Sequence, residues 1–76
     1  MKIVKIKPNK DRTLHIISED GREGIFDVSP YLKYEAFTEL KNQNAFKKII
    51  NGGYFIEWDC GADLSADTIE KHLKIF

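Results

Sequence analysis

Arg12-Thr13-Leu14-His15-Ile16-Ile17-Ser18-Glu19-Asp20-Gly21-Arg22-Glu23-Gly24-Ile25-Phe26-Asp27-Val28 is the stretch whose reading decides the fold. Leu14, Ile16 and Ile17 place β-branched and apolar side chains in a run that reads as a strand over residues 12–18. Asp20-Gly21 is the two-residue hairpin signal, because Gly tolerates positive φ and Asp nearly so. Residues 22–28 then return as the next strand. A two-residue loop sets the register: Glu19 faces Arg22, Ile17 faces Gly24, Ile16 faces Ile25 and His15 faces Phe26. Side chains alternate across a sheet, so one face is expected to carry Leu14, Ile16 and Ile25, and the other Ile17, Phe26 and Val28. Neither face is cleanly polar, which implies a hairpin covered on both sides or one that meets a partner.

Upstream, Met1 to Lys7 alternates Val4 and Ile6 around Lys5 and reads as a first strand, closed by the turn cluster Pro8-Asn9-Lys10-Asp11. Downstream, Ser29-Pro30 opens a short helical turn, with Ser29 as its N-cap. Phe37, Leu40, Phe46, Ile49 and Ile50 suggest two short helical pieces broken near Asn42-Gln43-Asn44, with Asn44 able to cap the second. Asn51-Gly52-Gly53 turns into a further strand, Tyr54 to Trp58, with Tyr54, Ile56 and Trp58 on one face against Phe55 and Glu57. Asp59-Cys60-Gly61 turns again. Ser65 caps a final helix whose Ala66, Ile69, Leu73 and Phe76 form one stripe, with Asp67 in its first turn and Lys74 in its last. The expectation is one α+β domain over residues 1–76: an N-terminal antiparallel three-stranded meander, short helices, a further strand and a C-terminal helix.

Composition bounds the functions such a domain can serve. With 76 residues, 12 Lys+Arg against 12 Asp+Glu and one Cys, the chain has no formal net charge and no means of forming an internal disulfide. Charge neutrality argues against a nucleic-acid binder acting through bulk electrostatics. A lone cysteine gives no sign of an oxidising compartment. No apolar run approaches the roughly 20 residues of a membrane span, and the start Met1-Lys2-Ile3-Val4-Lys5 lacks a signal peptide's apolar stretch. A cytoplasmic protein without a membrane segment is expected.

The constellations that could carry chemistry are few. Asp59, Asp63, Asp67 and Glu70 match loop positions of a calcium-binding EF-hand, with Ser65 among them. The pattern breaks at Gly61 and Leu64, where a ligand oxygen and an obligatory glycine are required. His15, His72 and Cys60 lack the short paired intervals of zinc sites. No nucleophile motif or phosphate-cradling loop is present, so neither a cofactor, a metal nor a catalytic residue is assigned, and the chain is expected not to be an enzyme. Lys2, Lys5 and Lys7, continued by Lys10 and Arg12, make a basic opening stretch, whereas Glu57 to Glu70 holds five acids and no base. Such lysines guard an edge strand against pairing, or touch nucleic acid or an acidic partner. Seven aromatic residues between Tyr31 and Trp58, Phe55 among them on the face away from Trp58, hint at an exposed apolar patch and a protein partner.

Three stretches together resemble one family. Glu19-Asp20-Gly21 runs into Phe26-Asp27-Val28-Ser29-Pro30-Tyr31-Leu32; Phe37-Thr38-Glu39-Leu40 precedes Ala45-Phe46; and Ile56-Glu57-Trp58-Asp59-Cys60-Gly61-Ala62-Asp63-Leu64 follows. In order and spacing they resemble the domain-of-unknown-function 2442 family, with Trp-x-x-Gly-Ala-Asp the most specific element. Members usually place Pro-Asn at Asp59-Cys60 and an aromatic at Ser18, so no role of that asparagine carries over. The resemblance implies a small prokaryotic α+β domain without assigned catalysis. Longer members add a helix-turn-helix domain, which a chain ending at Phe76 is not expected to have, and short members often pair with another small protein in toxin–antitoxin-like couples. It points to an interaction or regulatory module with a small protein partner, itself a monomer or weak homodimer. The second reading is a nucleic-acid-associated accessory domain using the basic N-terminal strand. Within the motif, Trp58 is expected to close a strand, Gly61 to turn and Ala62 to permit close approach. Asp63 is expected to bond free amides at the start of the last helix, at about 1 kcal/mol of cap stabilisation.

Overall fold

The computed structural model describes all 76 residues. Strands β1 (Ile3–Pro8), β2 (Thr13–Ser18) and β3 (Glu23–Asp27) form the expected antiparallel meander. The hairpin register differs from expectation by one residue. Leu14 pairs with Phe26, His15 with Ile25 and Ile16 with Gly24, because the loop is Glu19-Asp20-Gly21 rather than Asp20-Gly21 alone. Gly21 N–H donates to Ser18 O at 3.1 Å, Ser18 N–H to Arg22 O at 2.8 Å, and Gly21 sits at φ +89°. This is a turn followed by a left-handed glycine, the three-residue hairpin closure. Asp20 braces it, accepting from the Ser18 hydroxyl and, at 3.2 Å, from Arg22 N–H. The one-residue slip exchanges Phe26 and Ile25 between faces. Phe26 joins Leu14 and Ile16 in the core, all fully buried, and Ile25 turns outward beside Ile17. The hairpin therefore has one core face, not two apolar ones.

In β1 the register jumps between Ile3 and Lys5. This β-bulge leaves Val4 half-exposed while Ile3 is buried, and it returns Ile6 to the inner side. The β1–β2 turn then places Arg12 at φ 66°, an uncommon conformation for a side chain with a Cβ. The Arg12 guanidinium donates to Leu40 O at 2.9 Å, Lys41 O at 2.5 Å and Lys10 O at 2.8 Å, and also to Gln43 Oε1. It also lies 5.6 Å from the centre of the Phe46 ring. Arg12 thus ties the meander to the helical crossover by satisfying carbonyls at a helix end.

The crossover consists of 3-10 helices at Ser29–Tyr31 and Glu35–Lys41, followed by α1 (Gln43–Phe46). Two expected caps move. Ser29 is the first residue of its turn rather than its cap, and its amide donates to Asp27 Oδ1 at 2.9 Å. Asn42, not Asn44, caps α1, accepting from Asn44 and Ala45 amides at 2.8 and 3.3 Å. Ile49 and Ile50 leave the helix altogether. They belong to β4 (Ile49–Asn51), which pairs with β5 (Phe55–Trp58), which in turn pairs with β6 (Asp63–Ser65). The expected further strand is thus the centre of a second, three-stranded sheet. Tyr54 does not share the inner face with Ile56 and Trp58; it lies in the turn, 67% exposed.

Ser65 caps α2 (Ala66–His72), its hydroxyl accepting from Thr68 N–H at 3.1 Å. The expected stripe ends early. Ala66 and Ile69 are buried, but the chain leaves the helix at Leu73 and forms β7 (Lys74–Ile75) against β3, giving the first sheet the order β1-β2-β3-β7. Lys71 and His72, not Lys74, occupy the helix's last turn. Gly24 makes this docking possible, since a Cβ there would collide with the backbone carbonyl of Lys74.

Both sheets feed one core. Ile3, Leu14, Ile16 and Phe26 from the first sheet meet Ile56, Trp58 and Leu64 from the second, with Leu40, Phe46 and Ile69 between. Successive ring contacts link Phe26, Tyr31, Phe37, Trp58 and Phe46, with centroids 5.6–6.2 Å apart. The Trp58 indole donates to Phe46 O at 3.0 Å, so its polar edge is satisfied where the ring is buried. At the seam Ile3 N–H donates to Gly53 O at 2.7 Å and Asn51 Nδ2 to Ile3 O at 3.0 Å.

Candidate functional site

Alternation along β5 divides the family-like motif into an inner and an outer part. Trp58 and Ala62 are buried, at 1% and 3% exposure. The turn between them closes through Gly61 N–H to Trp58 O at 2.9 Å and Trp58 N–H to Ala62 O at 2.8 Å, with Gly61 at φ +96°. These three residues build the sheet. Phe55 and Asp63 face the other way. Across the second sheet's outer side Ile50 lies opposite Glu57, and Glu57 opposite Asp63, while Phe55 lies opposite Ser65. Ile50 is 61% and Phe55 46% exposed, with Tyr54 beside them. Neither Glu57 nor Asp63 takes part in an ion pair. Like charges directly opposed on neighbouring strands repel, so this face holds two uncompensated carboxylates next to exposed apolar side chains. Asp63 bonds no helix amide; that part is taken by Ser65.

The basic opening stretch also divides. Lys2 pairs with Glu19 at 3.6 Å, and Arg12 serves the crossover. Lys5 and Lys7 remain without ion pairs on the outer side of the first sheet, where with His15 and Ile17 they line a shallow hollow of about 220 Å³. Lys74 joins them from β7, opposite Ile25. His15 Nε2 lies 2.6 Å from Glu23 Oε2 on this face.

The remaining titratable groups are dispersed. Glu70 receives the Met1 amino group at 3.0 Å and Arg22 Nη1 at 2.7 Å, and these hydrogen bonds, Arg22 first, hold its pKa below the ordinary carboxylate range. Asp20 is likewise lowered by the Ser18 hydroxyl and the Arg22 amide, and Asp11 by the Thr13 hydroxyl. None of these shifted carboxylates lines a surface hollow. Three larger hollows are about 420 Å³, between Lys47, Lys48, Ile50 and Asp59, about 410 Å³, between Asn42, Lys48 and Asp59, and about 360 Å³, between Pro30, Tyr31, Tyr34 and His72. No group of three or more His, Cys, Asp or Glu side chains converges as a metal site would require. Asp59, Asp63, Asp67 and Glu70 therefore do not assemble the EF-hand-like loop that their spacing suggested, and Cys60 is a free thiol in an exposed turn.

Sequence reasoning assigned Ile50 and Lys74 to helices and so missed their places on the outer faces of the two sheets. The signal for Ile50 lay in Ile49-Ile50-Asn51 itself, a β-branched pair ahead of a Gly-Gly turn.

Two sheets sharing one core, joined by a short helical crossover, define a small α+β domain in which the most specific sequence motif is mostly architectural. The chain belongs to the family described as "Protein of unknown function (DUF2442)", whose model matches residues 3–74. No curated protein and no solved structure matches the chain. No helix is long and apolar enough to cross a membrane.

Proposed function

We propose that this domain is a non-catalytic protein-interaction or regulatory module of the cytoplasm, a member of a two-protein pair in the manner of an antitoxin. One observation carries the reading: Ile50 and Phe55 stand exposed on a strand pair beside Glu57 and Asp63, neither of which takes part in an ion pair. Exposed apolar side chains rimmed by unpaired charge mark an interaction surface better than any hollow here marks a reaction site. The test is retention of the protein encoded beside this one on immobilised wild-type domain, set against Ile50→Ser and Phe55→Ala. Capture lost in both variants, with melting temperatures unchanged, supports the reading; capture unchanged in both overturns it.

The second reading, a nucleic-acid accessory role, draws on Lys5, Lys7 and Lys74 sharing one face. It requires a salt-dependent shift on mixing with DNA or RNA, and no shift at low salt removes it.

A further inference from the structure

We infer that the second sheet's outer face docks onto the first sheet's outer face of another copy of this chain, a head-to-tail self-association guided by charge. The inference rests on the interaction reading above and gives that surface an occupant. The register places Lys7, His15, Ile25 and Lys74 in one row across the first sheet, and Lys5, Ile17 and Glu23 in the next. Ile17 and Ile25 are half-buried at its centre, Lys5, Lys7 and Lys74 are exposed around them without ion pairs, and Asp27, opposite Thr13, is exposed on the same side, also without one. His15 Nε2 lies 2.6 Å from Glu23 Oε2, and the Phe76 ring rests against His15 with centroids 5.5 Å apart. The second sheet offers the converse, Ile50 and Phe55 beside the unpaired Glu57 and Asp63.

Each face thus combines an apolar centre with charge of opposite excess: three lysines against Glu23 and Asp27 on the first sheet, Glu57 beside Asp63 on the second. The two cannot meet within one molecule. The inner sides of both sheets enter the same core, so each outer side is turned away from it. A second copy supplies what each face lacks: its lysines relieve the Glu57–Asp63 repulsion, while isoleucines and Phe55 leave water. Complementary potentials of this kind set register and association rate. The contact is heterologous, so it closes as a ring of copies or continues as an open chain of them.

The test is the weight-average mass of the full chain by sedimentation equilibrium, at about 0.01 M and about 1 M salt, where the screening length falls from about 30 Å to about 3 Å. At low salt the mass should rise with concentration above the 8.8 kDa of one chain, and at high salt it should return to that value. The double variants Glu57→Lys/Asp63→Lys and Lys5→Glu/Lys7→Glu should each lose at least tenfold in association, and their equimolar mixture should recover it. Thermal melts establish that each variant is folded. Should a charge reversal unfold the chain, the neutral pairs Glu57→Gln/Asp63→Asn and Lys5→Gln/Lys7→Gln should weaken association severalfold. Wild type that stays at monomer mass at low salt overturns the inference, as does a mixture of folded variants that fails to recover association. If wild type is monomeric yet captures its neighbour-encoded protein through Phe55, this inference falls and the interaction reading stands. If self-association and capture both survive Phe55→Ala and the charge reversals, both fall.

Discussion

The two sheets of this domain are built on different principles. The first is held together by its neighbours in sequence: β1–β2 and β2–β3 each pair five positions through tight connections. In the second, β4–β5 and β5–β6 pair only three positions each, fewer than a free-standing sheet can rely on. Its stability comes from below, from Ile56, Trp58 and Leu64 packing on Phe46 and on the first sheet's inner face. The difference teaches that the surface with the strongest interaction character is carried by the sheet that depends most on tertiary contacts.

The largest test of that difference is Trp58→Ala. Removing a fully buried tryptophan costs about 3–5 kcal/mol and leaves Phe46 O without its donor, a loss comparable to the whole stability of a small domain. In hydrogen exchange, β5 amides should lose protection before those of Leu14 and Ile16. Equal loss in both sheets would break the distinction between them. Arg12→Ala comes next, at about 2 kcal/mol in denaturant melts, because several charge-assisted hydrogen bonds to carbonyls disappear together. Arg12→Lys should recover little, since an ammonium cannot reproduce the planar fork. A full rescue by lysine would mean that charge alone holds the crossover.

Ser65→Ala should cost about 1 kcal/mol through loss of the α2 cap. Asp63→Ala, two residues earlier and outward, should leave the melting temperature essentially unchanged. A reversed order would return the cap to Asp63. The smallest effect links α2 to the first sheet. Glu70 has a folded pKa below its unfolded value, so its contribution is present at neutral pH and is lost as pH falls through the folded value. Glu70→Gln should lower stability near pH 7 and flatten the decline as pH falls below the ordinary glutamate value of about 4.3. Identical acid profiles for variant and wild type would remove this link.

The same contrast explains what could be read in advance. The meander, the Ser65 cap and the architectural part played by Trp58 and Ala62 are local or periodic, and the residues announce them. The hairpin register was missed because Asp20-Gly21 fits both two- and three-residue loops. Asking which register puts Phe26 with Leu14 and Ile16 selects the right one. Strands β4 and β6 span three residues each, too few to display a period, and they exist only because Trp58 and Leu64 have a core to enter. Arg12 was invisible for another reason: its acceptor Leu40 O lies 28 positions away, and nothing in the sequence near either residue names the other.

The bulge at Val4 bears on how this chain can change in length. Deleting Val4 would leave Ile3, Lys5, Ile6 and Lys7 in strict alternation, with both isoleucines still inward and both lysines outward. Deleting Lys5 instead would substitute Val4 into the outward place and preserve the same parity. The first strand therefore contains one residue more than its pleat uses. A single-residue deletion at this spot alters the edge of the sheet without shifting the frame of anything beyond it.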